Sequence, residues 1–173
     1  MLPPLSFVLG GAASGKSFFA ENLLLNSGLR LTYVATARAW DEETEERIEV
    51  HKSRRAGKFT TVEAPVAIGP ALANCAATDA VLIDCATMWL TNLMMDGEDI
   101  DHAGPRLLSE LAVCAAPIVL VSNEIGQGIV PDNAMSRRFR EAQGRLNIAL
   151  AARSDLAVQV VAGLPNVLKG CLP

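Results

Sequence analysis

Aromatic side chains make up only 5% of the 173 residues. There are two histidines, and the four cysteines, Cys75, Cys85, Cys114 and Cys171, form no Cys-x-x-Cys pair. No zinc constellation is therefore spelled out. Buried, reduced thiols are the expectation in a cytoplasmic protein. Basic residues are outnumbered: 15 Lys and Arg against 19 Asp and Glu give a formal net charge of −4. No global positive field draws the chain to nucleic acid. No apolar run approaches the ~18 residues that span a bilayer. The first residues lack a basic stretch followed by a cleavable apolar segment, so the expected location is the cytoplasm. Small aliphatic residues are abundant instead, since half of the chain is hydrophobic. Residues 1–173 read as a single domain large enough to enclose a core.

Apolar, β-branched runs recur at Leu5–Leu9, Leu31–Ala35, Val81–Cys85, Ile118–Ser122 and Leu156–Val161, with a weaker one at Phe59–Val62. Between them lie helical patterns: Lys16–Asn26, Glu42–Arg55, Val66–Ala76, Met88–Met95, Pro105–Ala115 and Ser136–Arg153. Alternation of this kind predicts an α/β fold with a mostly parallel sheet of at least five strands and helices on both faces.

The first strand runs into Gly10-Gly11-Ala12-Ala13-Ser14-Gly15-Lys16-Ser17, which matches the phosphate-binding pattern G-x-x-x-x-G-K-[ST]. Strand, glycine loop and helix is the context this pattern needs. The glycines let backbone N–H groups turn toward a phosphate, and the helix start adds positive dipole. Lys16 reaches the β- and γ-phosphates, and the Ser17 hydroxyl sits on Mg²⁺. The alternative, a plain Gly/Ala/Ser turn, does not need the lysine. A second apolar strand ends in a carboxylate at Asp84. In P-loop enzymes such an acid holds Mg²⁺ directly or through water. The competing role for Asp84 is an N-cap on the helix that follows.

Three further segments carry candidate chemistry. Arg47, His51 and Arg55 are spaced four apart and share one helical face, with Lys52, Arg54 and Lys58 nearby. Two guanidinium groups favour a neutral, nucleophilic imidazole and can dock phosphate oxygens. A solvated histidine among bases is the other reading, and the spacing alone leaves both open. His102 reads as a loop or helix-start residue. Asp101-His102-Ala103-Gly104 matches the D-x-x-G of GTPases by chance, because no N-K-x-D motif accompanies it. Ser122–Pro131 ends an apolar strand with polar residues and two glycines, where ligands bind at the edge of a parallel sheet. Asp84 and Glu124 are both candidates for a kinase base.

Taken together these segments resemble the bifunctional cobinamide kinase / cobinamide-phosphate guanylyltransferase family of cobalamin biosynthesis. The matching stretches run almost end to end. They are Gly10–Ser17; Tyr33-Val34-Ala35-Thr36-Ala37; Arg47-Ile48 with His51-Lys52 and Arg55; Asp84-Cys85 with Thr87, Leu90, Thr91 and Asn92; Ser122–Gly126 with Gly128–Pro131; and Arg138–Arg140 with Gly144–Asn147. The resemblance implies a RecA-like core and two reactions. One phosphorylates the aminopropanol hydroxyl of adenosylcobinamide with ATP or GTP. The other transfers GMP from GTP to that phosphate through a guanylylated histidine, matched here by His51. It also implies nucleotide contacts at Gly10–Ser17 (Gly10, Gly11, Ala12, Ala13, Ser14, Gly15, Lys16, Ser17), Ala35, Thr36, Ala37, Lys52, Ser53, Arg54, Arg55, Glu63 and Asp84. Some relatives carry Glu where this chain has Asp84. A homo-oligomer, a trimer by resemblance, is expected around so large a substrate. Two rival readings are a monofunctional small-molecule kinase and a nucleotide-binding regulatory module. A covalent enzyme–GMP adduct separates the first of these from the bifunctional enzyme.

Overall fold

A computed structural model describes residues 1–39 and 57–173. The expected helix Glu42–Arg55 lies outside the described residues. In chain order the elements are β1 (Leu5–Gly10), α1 (Lys16–Leu25), β2 (Arg30–Ala35), β3 (Thr60–Glu63), α2 (Gly69–Ala73), β4 (Asp79–Asp84) and α3 (Ala86–Met95). A 3-10 turn (Ile100–His102) follows, then α4 (Ala103–Ala112), β5 (Ile118–Asn123), α5 (Ala134–Arg153), β6 (Leu156–Val161) and β7 (Leu164–Lys169).

The described strands form one seven-stranded sheet in the order β3-β2-β4-β5-β1-β6-β7. Every pairing is parallel except β6 with β7. Alternation along the strands sorts side chains to two cores. Phe7, Ile83 and Leu120 face one side, against Trp89 and Leu93 of α3, Leu107 of α4 and Leu146 of α5. Val8, Leu82, Val121 and Val158 face the other, against Ala20 and Leu24 of α1. Both faces of the central strands are thus covered, which is why these strands are apolar at successive positions.

Two expectations need correction. Helix Val66–Ala76 is only Gly69–Ala73, with Pro70 in its first turn. The stretch before it bends at Pro65 and Val66, whose carbonyls are taken by side chains: Trp89 Nε1 donates to Val66 O at 2.8 Å and Asn92 Nδ2 to Pro65 O at 2.8 Å. Carbonyls used in this way are not offered to a helix. The thiols are not all buried either. Cys75 and Cys85 are buried and Cys114 partly so, but Cys171 is exposed. Burial pushes the thiols of Cys75 and Cys114 up, and raises that of Cys85 to about 12 with the Asp84 charge adding to the effect. Thiolate is the reactive form. At pH 8 a thiol reagent should therefore titrate Cys171 alone in the native protein, and all four cysteines once guanidinium unfolds it. Fast native labelling of Cys85 would contradict this.

Candidate active site

The sheet register brings the chemistry to one edge. Gly10, the last residue of β1, pairs with Asn123 of β5 on one side and Val160 of β6 on the other. A side chain at Gly10 would run into the Ser14 hydroxyl and come within 2.8 Å of Val160 O. The loop therefore leaves the strand where only hydrogen fits. It then turns through positive φ at Ala13 (53°) and Gly15 (90°). The Ser14 carbonyl accepts from Gly163 N at 2.8 Å, and a Cβ on Gly15 would lie 3.0 Å from Gly163 Cα. Gly163 belongs to the two-residue turn Ala162-Gly163 between β6 and β7, both residues at positive φ (50° and 79°). Such a turn matches the twist of its flanking strands. The C-terminal hairpin thus buttresses the glycine loop.

Helix α1 begins at Lys16 with Gly15 as N-cap and no side-chain cap. Its first N–H groups and its dipole are aimed where an anion would be held. Lys16 Nζ donates to Gly11 O at 3.0 Å, folding the ammonium over the loop. The Ser14 hydroxyl is buried with no hydrogen-bond partner among the described residues. Its Oγ is packed against Gly10, close to where a Cβ on that glycine would sit.

Beyond β5, the pairs Ala35–Asp84 and Ala35–Glu63 set three of the expected nucleotide residues in one row across β4, β2 and β3. Asp84 is not a helix N-cap, which corrects that alternative: Cys85 occupies the cap position without a side-chain cap. The Asp84 carboxylate accepts instead from Tyr33 Oη at 2.8 Å. The Tyr33 ring is set edge-on against Phe59, 6.2 Å between centroids. Thr36 is fully buried, and its hydroxyl donates to Cys85 O at 2.8 Å and accepts from Cys85 N at 2.7 Å. This exchange ties the end of β2 to the cis peptide Asp84–Cys85. Asn92 Nδ2 donates to Thr36 O at 2.7 Å. Arg38 forms a two-bond pair with Asp96 at 2.7 and 2.9 Å. That pair raises the guanidinium and lowers the carboxyl.

Between that row and β1, Glu124 N donates to Gly10 O at 3.0 Å, so the loop after β5 starts against the phosphate loop. A buried polar network fixes the strand end beneath it. Ser122 Oγ donates to Asn147 Oδ1 at 2.7 Å, Gln143 Nε2 to Ser122 Oγ at 3.0 Å, and Asn123 N to Thr87 Oγ1 at 2.9 Å. Arg140 of α5 donates to the carbonyls of Gly126 and Ile129, and Arg137 to those of Pro131 and Asp132. Asn133 caps α5 by accepting from Ser136 N at 2.7 Å. The expected loop leading into a long helix is therefore present. Between the glycine loop, Glu124–Gly128 and Gln159–Ala162 lies a cavity of about 590 Å³.

Of the residues expected at the site, Gly10–Ser17, Ala35–Ala37, Glu63 and Asp84 share the carboxyl edge of the sheet. His51, Lys52, Ser53, Arg54 and Arg55 lie outside the described residues. His102 is the N-cap residue of α4 and pairs with Asp99 at 2.7 Å on the surface, as a helix-start residue. Sequence reasoning missed Gln159–Ala162 as a cavity wall. Its only signal is Ala162-Gly163 between two apolar runs.

Solved structures share this architecture at low identity. The RadB recombinase superposes with a TM-score of 0.53 and 16% identity over 91% of this chain and 75% of its own. A type III secretion ATPase does so with 0.57 and 11%, over 96% and 57%. The fold is that of RecA-like P-loop proteins. Among the described residues, no helix is long and apolar enough to cross a membrane. Closer similarity is found in curated relatives. The bifunctional adenosylcobalamin biosynthesis protein CobP of Pseudomonas aeruginosa is 44% identical over 166 residues, covering 94% of this chain and 96% of that one. The protein CobU of Salmonella typhimurium, of the same description, is 37% identical over 178 residues, covering 94% and 98%. The family model for cobinamide kinase / cobinamide phosphate guanyltransferase matches residues 6–168. With its fold, its glycine loop and these relatives in agreement, the chain belongs to that family of cobalamin-biosynthesis enzymes.

Proposed function

We propose that this chain uses one nucleotide site for two transfers: phosphorylation of adenosylcobinamide by ATP or GTP, and transfer of GMP from GTP to give adenosylcobinamide-GDP. The observation that carries the reading is the uncapped start of α1 under Lys16, at the same sheet edge as Ala35–Ala37, Glu63 and Asp84. In the first transfer the γ-phosphoryl group moves to the substrate hydroxyl and a nucleoside diphosphate stays on the loop. In the second, pyrophosphate leaves, and its charge builds where Lys16 and the helix N–H groups stand. His51 is the nucleophile in this reading. Its imidazole attacks the α-phosphorus of GTP, and the phosphate of the cobinamide then takes GMP from it.

The residues present fit Mg²⁺. Ser17 offers a hydroxyl and Asp84 a carboxylate, both hard oxygen donors. Among the described residues no group of three or more His, Cys, Asp or Glu could hold a metal ion unaided. Such a sparse donor set suits a cation that arrives on the phosphates of a nucleotide. When bound, it neutralises charge on the oxygens of the leaving group.

Incubation with α-labelled GTP and Mg²⁺ tests the reading. An acid-labile, base-stable GMP adduct on the protein is the expected result, discharged by cobinamide phosphate. A protein that phosphorylates cobinamide but never acquires the label would be a kinase alone.

A further inference from the structure

Phosphorylating an alcohol leaves a proton to be removed. We infer that Glu124 accepts it, an inference that rests on the kinase half of the proposed function. Glu124 is the one ionisable side chain among the described residues lining the cavity that Gly11–Ser14 of the glycine loop border. Its backbone is fixed by the bond from Glu124 N to Gly10 O at 3.0 Å. Its carboxylate is aimed by Oε1 accepting from Gly126 N, whose carbonyl in turn is held by Arg140. Asp84, the other candidate, is placed differently. It stands on β4, with β5 between it and β1, and its Oδ2 is tied to Tyr33 Oη at 2.8 Å.

The surroundings also give the acceptor a route. Ile125, next in the chain, lines both this cavity and an apolar groove of about 360 Å³ whose other walls include Met94, Met95, Ile129, Met135 and Phe139. A bulky, largely apolar acceptor lying along that groove presents its hydroxyl beside Glu124. In the step, the hydroxyl oxygen bonds to the γ-phosphorus as the bond from that phosphorus to the β-bridging oxygen breaks. The hydroxyl proton passes to the Glu124 carboxylate, and the nucleoside diphosphate departs on the loop. A carboxylate far less basic than the alkoxide suffices, because in a loose transition state the proton leaves late.

The test is Glu124→Gln, which keeps a carbonyl oxygen for Gly126 N, and Glu124→Ala with and without added formate. Cobinamide phosphorylation and GMP-adduct formation are measured on each. Phosphorylation kcat should fall about 10²–10³-fold in Glu124→Gln, with the acceptor KM and the adduct rate within about threefold of wild type. Formate should restore part of the rate of Glu124→Ala. Phosphorylation by Glu124→Gln at the wild-type rate overturns the inference. So does an equal loss of both reactions, which would make Glu124 a support of the loop. A wild type that does not phosphorylate cobinamide refutes the kinase reading itself, and the inference with it.

Discussion

Lys16→Ala should abolish both transfers. The Lys16 ammonium lies over the glycine loop, bonded to Gly11 O at 3.0 Å. In the proposed function it would exchange that oxygen for a nucleotide phosphate oxygen of higher charge. Removing it leaves the developing charge of either leaving group, nucleoside diphosphate or pyrophosphate, short of its strongest donor. Losing one such donor costs roughly 10²–10³ in rate, and here it applies to both reactions. The fold should survive, since the loop is pinned independently by Gly163 N on Ser14 O and by Glu124 N on Gly10 O. Thermal unfolding without nucleotide should therefore be near that of wild type. Stabilisation by added MgGTP, about 2.7 kcal/mol at a hundredfold excess over Kd, should largely vanish. Rates near wild type in Lys16→Ala would remove the glycine loop from the chemistry.

His51→Ala is expected to divide the two activities. A nucleophile that forms a bond to phosphorus has no substitute, and deleting such a group costs up to ~10⁶ in kcat. The GMP adduct should disappear and guanylyl transfer fall by at least ~10³. Phosphorylation of cobinamide should persist, because Lys16, Ser17 and Asp84 are untouched. Arg55→Ala should slow adduct formation without preventing it, as a guanidinium positions phosphate but forms no bond. Labelled GMP on His51→Ala at the wild-type level would place the nucleophile at another residue.

How much of this could be read in advance depended on what each segment asks of its residues. Gly10 and Gly15 announce the phosphate loop because a Cβ at either would meet backbone of the β6–β7 hairpin. Strands β1, β4 and β5 are legible as unbroken apolar runs, since each is buried on two faces. Strand β7 escaped notice because it is exposed along its whole length and carries Pro165. An edge strand needs neither alternation nor β-branched packing. Its turn was hidden too, because Ala162 at positive φ is a residue that propensity does not place there. The short α2 was overextended for a long-range reason: Trp89 and Asn92, some twenty residues on, claim the carbonyls before it. The Asp84 role turned on Tyr33, fifty-one positions away, which no local pattern can reveal.

The strand that carries the glycine loop precedes every other described strand in the chain, yet it is enclosed by strands that come much later. Both neighbours of β1 come from the second half of the chain, residues 118–123 and 156–161, and the turn that steadies the loop is at residues 162–163. Pairings between such distant segments form slowly, because loop closure must precede the contacts that reward it. The glycine loop would therefore take its shape only once β5, β6 and the turn at residues 162–163 are in place around it.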